Sequence, residues 1–181
     1  FVVGNHGLNG DLTASVEKPL TMYVHDFDDN GALDQILCYY NGETAYPFAS
    51  QDELISQLPN LRKKYTKYNK YAESQIENIF DKSTLAKAKK LTANELRTVW
   101  IENTGDDFKV HALPIEAQFA PTKSILIQDF DGDGNQDIIL GGNFYGVIPK
   151  IGRYDASYGN YLQGDGKGNF KLDPSSSIAV G

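Results

Sequence analysis

Residues 23–37, YVHDFDDNGALDQIL, recur 103 positions later as LIQDFDGDGNQDIIL at 126–140. Each copy runs a short apolar stretch into a loop of alternating acids, then into a second apolar stretch. That arrangement constrains the fold more than any bulk property does. Apolar runs bounded by Asp and Gly predict two strands joined by a tight loop. Duplication at a long interval predicts a repeat architecture. Two weaker echoes point the same way. WIENTGDDFKVHALP at 100–114 is matched by LQGDGKGNFKLDP at 162–174, with Phe108 over Phe170, and FVVGN at 1–5 by ILGGN at 139–143.

Setting aside an insertion at 50–97, the repeat period is roughly 57 residues with about four short strands per period, the pattern of a β-propeller blade. The predicted fold is therefore all-β: propeller-type blades with an α-helical insertion, forming a single partial propeller domain over 1–181. The predicted boundaries are the end of one blade at 1–16, a second blade at 17–114 interrupted by the insertion, a third blade at 115–175, and the start of the next strand at 176–181. Fewer than three units cannot close a propeller. With no leader-like segment at Phe1, this predicts a fragment of a larger protein.

The repeated loops carry the chemistry. Asp26, Asp28, Asn30 and Asp34 stand at loop positions 1, 3, 5 and 9, and Asp129, Asp131, Asp133 and Asp137 repeat the spacing. Carboxylates this dense repel one another unless a cation is present. Ca²⁺ takes six to eight hard oxygen ligands. Gly31 and Gly134 at position 6 permit the sharp turn, and the backbone carbonyls of Ala32 and Asn135 at position 7 are candidate further ligands. No His or Cys holds a ligand position, which disfavours zinc, copper and iron. Position 12 is Leu37 or Leu140 rather than the bidentate Glu of an EF-hand. Turn chemistry alone explains one Asp-Gly loop, but it does not explain two with one spacing. Two Ca²⁺ sites are expected.

The net charge of -7 comes from 17 bases and 24 acids, and it is unevenly spread. The window 50–97 carries ten bases against six acids, and the remainder is strongly acidic. An acidic chain lacks the basic surface that replaces phosphate counterions, which argues against nucleic-acid binding. No apolar run is long enough to cross a bilayer. Within the basic window, Ser50 and Glu53 predict a capping box, in which each side chain satisfies a free N–H at a helix start. Pro59 ends or restarts that helix. Leu61, Tyr65, Tyr68 and Tyr71 recur at helical spacing, as do Ile76, Ile79 and Phe80, and these faces are expected to pack on the β body. Ser83 is expected to cap a last helix running through Leu91. Cys38, the one cysteine, lies in an apolar strand and is expected in the core.

The motif DFDGDGNQDIILGGNFYG resembles the calcium loop of FG-GAP and VCBS repeats. With GRYDASYG, LQGDGKGNF and SQDELISQLPNLRKKY, nearly the whole chain resembles the exported FG-GAP/VCBS proteins of Bacteroidetes related to cartilage acidic protein. The resemblance implies a calcium-bearing propeller of seven or eight blades, exported to the periplasm, outer membrane or cell surface. It also implies that the eight side chains at loop positions 1, 3, 5 and 9 are the ligands. Asn30 departs from the pattern by lowering the charge of its site.

No catalytic constellation emerges. The three His are scattered, no G-x-S-x-G elbow occurs, and no pattern selects two carboxylates for glycoside hydrolysis. The candidate ligand surface is the Gly-broken segment 141–161, with Asn143, Phe144, Tyr145, Arg153, Tyr154, Asp155, Tyr158 and Tyr161. Rings with a nearby Arg and Asp suit a glycan or a peptide. The expected function is a non-enzymatic, calcium-binding repeat domain that mediates ligand or protein binding or assembly at a bacterial cell envelope. The alternatives are the propeller part of a secreted polysaccharide lyase or hydrolase with its catalytic residues elsewhere, and a structural subunit of an outer-membrane complex docked through the insertion.

Overall fold

The strand-forming stretches pair into three antiparallel sheets and divide between two units, Phe1–Asp11 with Leu96–Gly181 and Leu12–Glu95. The computed structural model describes residues 1–148 and 150–174, so the expected strand at 176–181 lies outside the described residues. The protein is predominantly β with short helices, and among the described residues no sheet closes on itself. No helix is long and apolar enough to cross a membrane, among the described residues.

In the unit Leu12–Glu95, strands β2 (Leu20–His25), β3 (Asp34–Asn41) and β4 (Thr44–Pro47) form a meander. Burial along β3 alternates, with Asp34, Ile36 and Cys38 inward, as the two-residue period of a strand dictates. Helix α1 (Gln51–Gln57) starts at the expected capping box: the Ser50 hydroxyl accepts the Glu53 N–H while the Glu53 carboxylate accepts the Ser50 N–H. Pro59 opens a 3₁₀ turn (Pro59–Lys63), and the short helices α2 (Tyr68–Ala72), α3 (Ile76–Ile79) and α4 (Lys82–Lys87) follow. Their apolar faces bury Leu54, Leu58, Leu61, Tyr65, Tyr71, Ile76, Ile79 and Phe80 in one core with Phe27, Ile36 and Cys38. Tyr68 departs from the stripe and is 67% exposed.

The helical reading of 50–97 is corrected at its end. Helix α4 is capped by Asp81 rather than Ser83: the Asp81 carboxylate accepts the Thr84 N–H and the Ser83 hydroxyl. The helix stops at Lys87, and Lys89–Ala93 is a strand, β5, paired with β2 from Val24↔Lys89 to Leu20↔Ala93. All five of its residues are exposed. A strand exposed on both faces shows no alternation, and its lysines blunt a free edge, so KKLTA carries no strand signature.

In the other unit, β1 (Val2–Val3), β6 (Val99–Asn103) and β7 (Phe108–Ala112) form a sheet of order β1-β6-β7. Strands β8 (Thr122–Gln128), β9 (Asp137–Gly142), β10 (Asn160–Gly164) and β11 (Phe170–Leu172) form a four-stranded meander, the complete set expected for 115–175. Ile138, Leu140, Leu162, Leu113 and Ala117 form its core, joined by Val2, Trp100, Ile125 and Phe170. Gly168 (φ +86°) lies so close to Trp100 that a Cβ there would sit 2.6 Å from the indole.

This pairing corrects the expected blade at 17–114. The β6–β7 hairpin does not join β2–β3; it pairs with β1, Val2 opposite Trp100. Strand β1 stands next to β6 as β9 stands next to β10, which agrees with the match between FVVGN and ILGGN. The whole unit 12–95 therefore intervenes between β1 and β6, where residues 143–159 intervene between β9 and β10.

Candidate metal centres

The two Asp loops share three hydrogen bonds and differ at position 5, whose N–H bonds Asp26 in the first loop and Asp131 in the second. In each, the position-1 carboxylate accepts the N–H of the position-6 glycine: Gly31 to Asp26 at 2.8 Å, Gly134 to Asp129 at 2.9 Å. The position-2 N–H reaches the position-9 carboxylate: Phe27 to Asp34 at 3.0 Å, Phe130 to Asp137 at 3.1 Å. The position-7 N–H bonds the position-5 side chain: Ala32 to Asn30 and Asn135 to Asp133, both at 2.7 Å. Positions 4 and 6 are left-handed in both loops. Gly132 (φ +80°) takes that conformation freely, whereas its counterpart Asp29 adopts φ +58° as one of the few residue types that tolerate it.

This geometry draws three carboxylates together in each loop, Asp26 with Asp28 and Asp34, and Asp129 with Asp131 and Asp137. One oxygen from each lies within 4.8 Å of the other two. Asp133 stays outside its cluster, with both carboxylate oxygens accepting bonds from Asn135, and the Asn30 side chain accepts the Ala32 N–H. Each cluster can hold a metal ion. A further observation bears on fit. Asp28 Oδ1 is shut off from solvent and has no hydrogen-bond partner among the described residues, an arrangement that is costly for an acceptor unless a cation or donor meets it.

The position-9 aspartates are the buried anchors. Asp137 is 0% exposed and accepts the Gly164 N–H at 2.9 Å, the Tyr161 hydroxyl at 2.8 Å and the Phe130 N–H. Burial pushes its pKa up, but these bonds outweigh it and hold the carboxyl below its ordinary value. Burial, and then donation to Asp137, pushes the Tyr161 phenol up to about 12. Asp34 accepts the Gln57 carboxamide at 3.1 Å besides Phe27. The Asp26 carboxyl lies below its usual range, first through the Gly31 N–H. Gln163 donates to Asp131 at 3.1 Å. Beside this second cluster, Asp131, Gln163, Asp165 and Asn169 line a cleft of about 500 Å³.

Sequence reasoning missed Gln57, Gln163 and Gly164, and it placed Tyr161 on a ligand surface. Gln57 and Gln163 lie 23 and 32 positions from the acids they touch, so no local pattern announces them. The only available signal was that both second strands lead into segments bearing amides and a Tyr.

The segment 143–158 is split. Asn143 (φ +137°) locks it, its carboxamide accepting the Ser157 N–H and donating to the Ser157 carbonyl. Phe144 and Tyr154 exchange backbone hydrogen bonds, and the Lys123 ammonium lies 4.7 Å above the Phe144 ring. Tyr154 is buried, edge-on to His6 at 4.8 Å, so its ring packs inside the unit. Tyr145 and Tyr158 are exposed, as are Arg153 and Asp155, and no ion pair joins that Arg and Asp among the described residues.

In comparisons with protein-family models, curated proteins and solved structures, no family model, curated protein or solved structure matches this chain.

Proposed function

We propose that the chain is a calcium-binding repeat scaffold of the FG-GAP/VCBS type, non-enzymatic, that mediates ligand or protein binding or assembly at a bacterial cell envelope. The observation that carries this reading is the pair of three-carboxylate clusters built by matching hydrogen bonds in two loops of one spacing. All the donors are oxygens, the set that suits a hard cation such as Ca²⁺ over softer transition metals. The ion's role is structural. It offsets three converging charges and ties the loop between two strands to the buried Asp34 or Asp137.

The propeller reading is supported by the four-stranded meander β8–β11 and by apolar side chains left open on unit surfaces. Phe108, Val110, Leu126 and Ile127 are each about half exposed or more, and exposed apolar surface of this kind marks an interface with further structure. Further blades would cover it. Export to the periplasm, outer membrane or cell surface rests on the family resemblance alone.

Calcium titration of the metal-stripped chain tests the proposal. At a hundredfold excess over Kd, one ion stabilises the folded state by about 2.7 kcal/mol, a rise in melting temperature of about 5–10 °C for a chain of this size. Two binding equivalents and a rise reversed by EDTA are expected. Identical melting in EDTA and in millimolar calcium would refute the reading.

A further inference from the structure

The strongest unassigned feature lies away from both Asp loops, in the unit Leu12–Glu95. Tyr39, Tyr46, Tyr68 and Tyr71, with Asn41 and Gln51, line a cleft of about 440 Å³ whose other walls are Pro47, Ser50, Ala72 and Ser74. Its floor is set by strand register. Tyr39 pairs directly across from Tyr46, and Asn41 lies two residues beyond Tyr39, so all three project from one face of β3–β4. Helix α2 contributes Tyr68 and Tyr71. Among the described residues, none that lines it is charged.

The free polar groups are neutral as well. The Tyr39 and Tyr46 hydroxyls and the Asn41 carboxamide take part in no side-chain hydrogen bond among the described residues. Gln51 is 8% exposed, and its carboxamide donates to the Tyr65 carbonyl while its own oxygen accepts nothing. The Tyr71 hydroxyl is already spent on the Ala49 carbonyl and the Tyr68 hydroxyl on Asp52, which fixes both rings as walls.

We infer that this cleft binds a neutral saccharide. Tyr rings offer apolar faces to the C–H faces of a sugar ring, while uncharged hydroxyls and carboxamides match its hydroxyls as both donors and acceptors. An anionic or cationic ligand would lose hydration here without a counter-charge. The inference goes beyond the scaffold reading and is independent of it, since no cleft residue belongs to a metal loop. It places a saccharide site on the β4–α2 face, apart from the 141–161 surface expected to suit a glycan or a peptide.

The test is affinity of the intact chain, in calcium, for neutral hexasaccharides of glucose, xylose and mannose, with an oligogalacturonate and a proline-rich peptide as counter-probes. Tyr68→Ala and Asn41→Ala alter exposed positions, and their melting curves confirm an intact fold. Binding of at least one neutral hexasaccharide, weakened about tenfold or more by Tyr68→Ala or Asn41→Ala and unchanged by Tyr145→Ala with Tyr158→Ala, is the expected result. Repeating the titration in EDTA separates this inference from the calcium reading, because saccharide affinity and calcium binding then fail independently. Binding of the peptide or oligogalacturonate alone, affinity indifferent to both cleft variants, or no saccharide binding at millimolar concentration would overturn it.

Discussion

Asp137 and Asp34 occupy the same loop position, yet replacing each by Asn should have very different consequences. Asp137 is fully enclosed and meets three donors, with the Phe130 N–H and Tyr161 hydroxyl on one oxygen and the Gly164 N–H on the other. Asn keeps one oxygen. Turned toward Phe130 and Tyr161, it leaves its own NH₂ facing the Gly164 N–H, donor against donor, at a position closed to solvent. Leaving such a buried donor unmet costs about 1–3 kcal/mol. With a urea m-value of about 2 kcal/mol/M, Asp137→Asn should lower the unfolding midpoint by about 1 M in metal-free buffer.

Asp34 meets the Phe27 N–H on one oxygen and the Gln57 carboxamide on the other. In Asp34→Asn the oxygen keeps Phe27, and the new NH₂ faces Gln57, whose carboxamide reverses to present its own oxygen. The expected cost is within about 0.5 kcal/mol. Urea unfolding of both variants in EDTA separates the cases. Equal midpoint shifts, or no shift for Asp137→Asn, would refute the hydrogen-bond reasoning. In calcium, each variant should also lose the response of its own loop, because the carboxylate is removed in both.

Two further predictions follow from burial. Cys38 is 1% exposed, and burial raises its thiol pKa to about 12, so iodoacetamide should leave it untouched in the native chain and label it once in denaturant; native labelling at the rate of a free thiol would contradict this. His6 is held below its ordinary pKa of 6.5, first by burial and then by Lys123. The folded chain therefore binds fewer protons than the unfolded one, and the associated stability is complete above 6.5 and lost as the pH falls through and below it. His6→Gln should flatten the fall in urea midpoint from about pH 7 to about pH 5; an unchanged slope would count against a half-buried neutral imidazole.

Both Asp loops were legible in the sequence because the bonds that close each loop on itself span seven residues or fewer, from Asp26 to Gly31 or from Phe27 to Asp34. The capping box at Ser50 and the alternating burial of β3 were legible for the same reason. Such contacts close at little loop entropy, so residue type and spacing suffice to specify them. Strand partnership is different. Nothing in VWIEN tells it to pair with Val2–Val3 across 12–95 rather than with the nearer β2–β3, and nothing in KKLTA marks a strand exposed on both faces. Those partners lie far apart in sequence, as Val2 and Trp100 do, so local residue type and spacing do not specify them. The same non-local choice brings Tyr161 to Asp137, Gln57 to Asp34 and Tyr154 to His6. The sequence alone determined where a cation is expected; only the tertiary structure decided which residues stand behind each cluster and which tyrosines remain free to meet a ligand.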